Sequence, residues 1–114
     1  MNSKIFIGID IEQISEVSNL LKLKNNSLEK IFSKEELKLS ELQLAGNFSA
    51  KEAIIKAFSS VTKLFFSQIE IQRDVSGRPI VSIKDQVYLR NFSLDLSISN
   101  KLDLVVAVAI VQIH

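Results

Sequence analysis

The stretch Leu44-Ala45-Gly46-Asn47-Phe48-Ser49-Ala50-Lys51-Glu52-Ala53-Ile54-Ile55-Lys56-Ala57 decides how the rest of the chain is read. At about 100° per residue from Leu44, Phe48 falls at about 40°, Ile55 at about 20°, Ile54 at about 280° and Phe58 at about 320°, so one arc faces a core. The spacing predicts a long helix from roughly Glu41 to Ser60. Lys51, at about 340°, sits inside the apolar arc, where a charge is costly unless the stem packs and the amine escapes or is paired; it is expected to reach a specific acceptor. Glu52 and Lys56, at about 80° and 120°, lie one turn apart on the flank beside Ala45 and Ser49. Taken alone they read as an ordinary exposed ion pair.

Upstream, Lys4 to Ile11 reads as a strand rich in Ile and Phe, interrupted only by Gly8, with Asp10 near its end. From Glu12 to Lys24 the apolar positions Ile14, Val17, Leu20, Leu21 and Leu23 recur at helical spacing until Asn25-Asn26. Ser27 is placed to cap a short turn to Phe32, and Ser33-Lys34-Glu35-Glu36 has the pattern of a capping box before a second short helical piece ending near Ser40. Downstream, Gln68 to Arg73 and Pro79 to Ile83 read as a hairpin around Val75-Ser76-Gly77-Arg78. Lys84 to Asn91 is assigned a short helix, and Ser93 to Ser99 and Leu104 to Ile113 two strands across the turn Asn100 to Asp103.

In the last strand Leu104, Val106, Val108 and Ile110 take one face and Val105, Ala107, Ala109 and Val111 the other, so both faces want cover. A partner subunit would supply it; so would a central place in the sheet of one chain.

The 114 residues are 46% hydrophobic with three Gly and one Pro, which excludes disordered and low-complexity classes and predicts one domain over residues 1–114. The longest apolar run, Leu104 to Val111, is far short of the roughly 20 residues a membrane helix needs. Asp10 and Glu12 break the N-terminal apolar stretch before a signal-peptide core could form, and the chain has no cysteine, so a cytoplasmic location is expected. Fourteen Lys and Arg against 13 acids, evenly divided along the chain, give no basic pole, so neither nucleic acid nor membrane is expected as a partner.

No cysteine means no thiol nucleophile, and the single histidine is the last residue, His114, so triad chemistry and histidine-ligated zinc are not expected. Carboxylates, lysines and hydroxyls remain. They are the ligands and charge clamps of phosphate chemistry assisted by a hard cation. Asp10 reads either as a cap for the following helix or, paired with Glu52 across the core edge, as half of a two-carboxylate Mg²⁺ site.

Gly8-Ile9-Asp10-Ile11 with Ile14, Lys30-Ile31-Phe32-Ser33-Lys34-Glu35-Glu36, the Leu44 to Ala57 stretch, Ile69-Glu70-Ile71, Asp74, Gly77-Arg78-Pro79 and Leu96-Ser97-Ile98-Ser99 together resemble the holo-acyl-carrier-protein synthase family of 4′-phosphopantetheinyl transferases. The resemblance spans nearly the whole chain, and the G-x-D plus F-x-x-K-E-A-x-x-K combination is its specific part. It implies an α+β fold, 4′-phosphopantetheinyl transferase-like, with a small antiparallel sheet packed against one long helix and several short helices. It implies transfer of 4′-phosphopantetheine from coenzyme A to a serine of an apo acyl carrier protein, releasing adenosine 3′,5′-bisphosphate, in a homotrimer with sites at subunit clefts. On this resemblance Asp10 and Glu52 match the Mg²⁺ ligands and Lys56 the lysine at the transferring phosphate, these three forming the catalytic set. Lys51, Lys56, Ser99 and Asn100 are expected to bind coenzyme A.

The chain departs from the family pattern at named places. Asn100 stands where the family has a histidine by the coenzyme A phosphates, and offers a neutral hydrogen bond in place of a charged one. Ser59-Ser60-Val61 replaces a glycine-rich turn, and Asn47 a usually basic position. Glu16, Leu23 and Asn26 occupy the early-helix face where arginines meet the acidic carrier, leaving Lys22 and Lys24 nearby. These departures define the alternative reading, a non-catalytic homologue that binds coenzyme A or a carrier protein.

Overall fold

The computed structural model describes residues 3–22, 28–84 and 91–114. The elements are β1 (Lys4–Gln13), α1 (Ile14–Leu21), α2 (Leu28–Ile31), a 3-10 turn at Glu36–Lys38, α3 (Glu41–Phe58), a 3-10 turn at Phe66–Gln68, β2 (Ile69–Arg73), β3 (Pro79–Ile83), β4 (Phe92–Lys101) and β5 (Leu104–Ile113). Two antiparallel sheets hold them: β1-β5-β4, and the hairpin β2-β3. This is the α+β architecture expected from sequence. The end of the first helix at Lys24, the Asn25-Asn26 stop, the Ser27 cap and the body of the Lys84 to Asn91 helix lie outside the described residues.

Two strand boundaries differ from expectation: β4 runs on through Asn100 and Lys101, which pair with Val105 and Leu104 and so leave only Leu102-Asp103 for the turn, and β1 runs past Ile11. Glu12 opens no helix: β1 continues to Gln13 because Glu12 pairs with Val105 and Gln13 with Leu104, and α1 starts at Ile14. The start of α1 is fixed from the β4–β5 turn, where the Asp103 carbonyl accepts from Ile14 N (2.8 Å) and its carboxylate accepts from Ser15 N (2.9 Å). The capping box at Ser33 forms, with Ser33 N donating to Glu36 Oε1 (2.9 Å) and Glu36 N to Ser33 Oγ (3.1 Å). Ser40 caps α3 in the same manner through Gln43.

α3 lies between the two sheets. Ala50, Ala53, Ile54, Ala57 and Phe58 of α3 share one continuous buried core with Ile69 and Ile71 of the hairpin and Ala107, Ala109 and Val111 of β5. The alanines on both sides allow close approach, and Gly8 of β1 makes it closer: a Cβ there would stand 1.8 Å from the Ala53 carbonyl oxygen and 2.7 Å from Ala57 N. Because the obstruction is helix backbone, relief requires α3 to move off the sheet. Gly8→Ala is therefore expected to destabilise by about 3 kcal/mol, at the upper end of overpacking costs, read as a lowered denaturant midpoint at unchanged m-value.

Only one face of the last strand is covered. Val105, Ala107, Ala109 and Val111 are fully buried under α3, whereas Leu104 and Ile110 are 42% and 43% exposed. Beside them on β1, Ile5, Ile7, Ile9 and Ile11 form a row 59–66% exposed, so the outer face of the sheet is an open apolar surface. No described helix is long and apolar enough to cross a membrane.

Candidate active site

The close contact at Gly8 positions the next residues on the helix side of β1. Strand alternation turns Asp10 and Glu12 toward α3, Asp10 buried and Glu12 half-buried. Helical spacing brings Ser49, Glu52 and Lys56 along the facing flank. Ser49, fully buried, donates to the Asp10 carbonyl and to Asp10 Oδ2, both at 3.1 Å. Lys56 Nζ donates to the Ile9 carbonyl at 3.1 Å and pairs with Asp10 Oδ1 at 3.3 Å, its side chain 54% exposed. Asp10 is thus no helix cap; both its oxygens face α3.

The electrostatics are those of crowded acids. Burial, with the Asp10 charge next, pushes the Glu52 carboxyl above the ordinary range, and Lys56 offsets this in part. Burial also raises Glu12 to about 7, reinforced by its side-chain hydrogen bond to Asp10 and by the charges of Asp10, Glu52 and Glu16. Such a group holds its proton in the folded state between its ordinary value of 4.5 and about 7. Its contribution to stability is fully present below the unfolded pKa and lost as pH rises through the folded one. We expect the metal-free protein's Tm to fall from pH 5 to pH 7.5, and Glu12→Gln to flatten that fall in a thermal-melt series.

The site opens at the free edge of β1. A depression of about 390 Å³ there is lined by Ile9, Asp10, Ile11, Lys56 and Val106, so it joins the carboxylate to the open apolar face. A larger one, about 460 Å³, lies between β3 and β4 and shares none of these residues.

Of the residues expected from sequence, Asp10, Glu52 and Lys56 come together. Lys51 does not join them. It is fully buried, its amine donating to Glu36 Oε1 at 2.7 Å and the Ile31 carbonyl at 2.5 Å, over the Phe32 ring at 5.3 Å. It has the specific acceptor its position demanded, but that acceptor is internal, and the expectation that Lys51 binds the cofactor is corrected accordingly. Asn100 lies on the helix side of β4 in the row Glu12–Val105–Asn100, two strand spacings or about 10 Å from β1 across the sheet. Ser99, paired with Val106, faces the opposite, open side. Within one chain neither approaches Asp10. Ser49 and Glu12 are additions to the expected set; the signals for them were Ser49's place on the Glu52 flank and Glu12's i+2 spacing from Asp10.

A family model described as the 4′-phosphopantetheinyl transferase superfamily matches residues 6–109. The chain belongs to this superfamily. Within it, the chain is similar to a holo-[acyl-carrier-protein] synthase of Clostridium kluyveri, 37% identical over 94% of this chain and 89% of that protein. Two solved structures from Chronobacterium ammoniagenes are each 26% identical: an apo-ACPS, TM-score 0.84 over 99% of both chains, and an ACPS–CoA complex, TM-score 0.79 over 97% of this chain and 98% of that one. The protein is a phosphopantetheinyl transferase of the holo-acyl-carrier-protein synthase family, and an enzyme by that membership.

Proposed function

We propose that the protein transfers 4′-phosphopantetheine from coenzyme A to a serine hydroxyl of an apo acyl carrier protein in a Mg²⁺-dependent reaction. The observation that carries this reading is the Asp10–Lys56 pair at one opening on the β1 edge, with the Glu52 carboxyl close enough to feel both charges, in a chain of this family. In the reaction the serine Oγ forms a bond to the phosphorus that bears pantetheine, the bridging bond of the pyrophosphate breaks, and adenosine 3′,5′-bisphosphate leaves.

The donor set fits Mg²⁺. Its oxygens are hard, the carboxyls of Glu12 and Glu52 are raised by neighbouring acid and burial, and Lys56 is the one cation paired with Asp10 among the described residues. Mg²⁺ is ordinarily held by one or two carboxylates together with water and substrate phosphate. Asp10 and Glu52 would hold it, and when bound it would neutralise charge developing on the pyrophosphate. The chain's own groups do the rest. Ser49 fixes Asp10 from behind, Lys56 is exposed enough to turn from Asp10 to a phosphate oxygen, and α3 anchors both at the Gly8 contact.

The open face of β1 and β5 supports self-association, with a homotrimer as the assembly proposed. Since the site opens at the rim of that face, a neighbouring copy would wall it, and Ser99 and Asn100 would serve a site built between copies. The test is intact-protein mass spectrometry of an apo acyl carrier protein incubated with this protein, coenzyme A and Mg²⁺. A gain of one phosphopantetheine that disappears with EDTA is the expected result; no gain with several carriers would overturn the reading.

A further inference from the structure

Asp10 is held by two unlike donors. It is 8% exposed, and each of its carboxylate oxygens has a partner from α3: Oδ2 accepts from Ser49 Oγ at 3.1 Å, and Oδ1 from Lys56 Nζ at 3.3 Å. The first partner is sealed in. Ser49 is fully buried, and the other acceptor within its reach is the Asp10 carbonyl, also at 3.1 Å, so its hydroxyl stays on Asp10 whichever oxygen it serves. The second partner is not. Lys56 keeps 54% of its side chain in water, and the other contact of its amine is the Ile9 carbonyl at 3.1 Å. Lys56 also lines the depression at the free edge of β1, so its amine can leave Asp10 without any movement of the helix.

The two contacts differ in what their loss entails. A buried carboxylate with no cation beside it is costly, which gives a physical reason for a lysine over Asp10. A half-exposed ion pair contributes little by itself, because water takes back the amine. Lys56 is also the cation that offsets, at the Glu52 carboxyl, the upward push of burial and of the Asp10 charge. Removed with nothing in its place, it would leave the charges of Asp10 and Glu52 opposing each other. A positive charge is therefore required at this point of the site, and the oxygen able to exchange its partner is Oδ1, whose donor reaches water, while Oδ2 stays with Ser49.

We propose that Lys56 is a stand-in for the divalent cation: its amine occupies Asp10 Oδ1 in the metal-free protein and gives that oxygen up when the cation binds, which frees it for a substrate phosphate. This rests on the reading that Asp10 holds a divalent cation. The test is calorimetric titration of wild type and Lys56→Met with Mn²⁺ in the absence of coenzyme A, at low and at high KCl, alongside thermal melts in EDTA and in Mn²⁺. With the competing amine gone, Lys56→Met is expected to bind Mn²⁺ at least about threefold more tightly, and to show a lowered Tm in EDTA that Mn²⁺ restores. Equal or weaker binding by a folded Lys56→Met would overturn the proposal. Long-range repulsion alone behaves differently: the screening length falls from about 10 Å at about 0.1 M salt to about 3 Å at about 1 M, whereas a partly buried contact is screened much less. A gain in affinity that vanishes at the higher salt would therefore also overturn the exchange. Wild type that binds no Mn²⁺ would instead remove the metal reading and this proposal with it. Should Lys56→Met not fold, NMR of the wild type decides: the Lys56 Cε signal, identified by its absence in Lys56→Arg, should move toward the position of a free lysine on saturation with Mg²⁺ alone, and no movement would overturn the assignment.

Discussion

Replacing Glu52 with Ala is expected to slow phosphopantetheine transfer by at least about 100-fold, by analogy with removal of one preorganised charge stabiliser, and Asp10→Ala to do the same. The accompanying stability changes should separate these effects from simple damage. Burial and the Asp10 charge raise the Glu52 carboxyl, so its ionised form is held unfavourably in the folded protein at neutral pH. Losing it should leave the metal-free Tm unchanged or higher. Asp10→Ala also removes one of the two acceptors of Ser49 and the charged partner of Lys56, and should lower Tm modestly. A catalytic loss in Glu52→Ala without a fall in Tm is the signature of a side chain kept for chemistry at the expense of stability. Transfer within about tenfold of wild type would remove Glu52 from the catalytic set. The measurements are rate assays at saturating Mg²⁺ and melts in EDTA.

The parts of this site legible in the sequence are those set by local periodicity. The helix wheel placed Glu52 and Lys56 on one flank with Ser49, and located Lys51 in the apolar arc, because 3.6-residue geometry needs no knowledge of the partner element. Strand alternation likewise exposed the two apolar faces of β5. What stayed hidden depends on pairings between distant residues. The helical pattern that starts at Ile14 makes Glu12 read as the first residue of a helix, yet its pairing with Val105, from the far end of the chain, keeps it in β1 and beside Asp10. Asn100 and Ser99 are neighbours in sequence but belong to opposite faces of β4, and only the register with β5 shows which face meets the helix. The acceptor of Lys51 was equally out of reach: Glu36 comes from a separate turn, and nothing in the local pattern distinguishes an internal carboxylate from an external phosphate.

That internal pair leads to the largest stability effect expected outside the core. Glu36, 1% exposed, receives four donors: Ser33 N and Lys51 Nζ on Oε1, Asn47 Nδ2 and Ile71 N on Oε2. It therefore joins the 31–36 segment, α3 and β2 at one point. Burial depresses the Lys51 amine and the Glu36 charge opposes that depression, so the two charges are tolerable only together. Lys51→Met keeps the stem's volume but strands the carboxylate and leaves the Ile31 carbonyl without its donor, at an expected cost of about 3–5 kcal/mol. Glu36→Gln should cost a similar amount, since it leaves the buried Lys51 amine without its counter-charge and turns an NH₂ toward the donors Asn47 Nδ2 and Ile71 N. The double variant Lys51→Met with Glu36→Gln should recover part of the single Lys51 loss, because no unpaired charge then remains. Denaturant unfolding of the three variants and wild type closes the cycle; additive losses would mean that the two side chains act independently, and that Lys51 was free to serve a ligand after all.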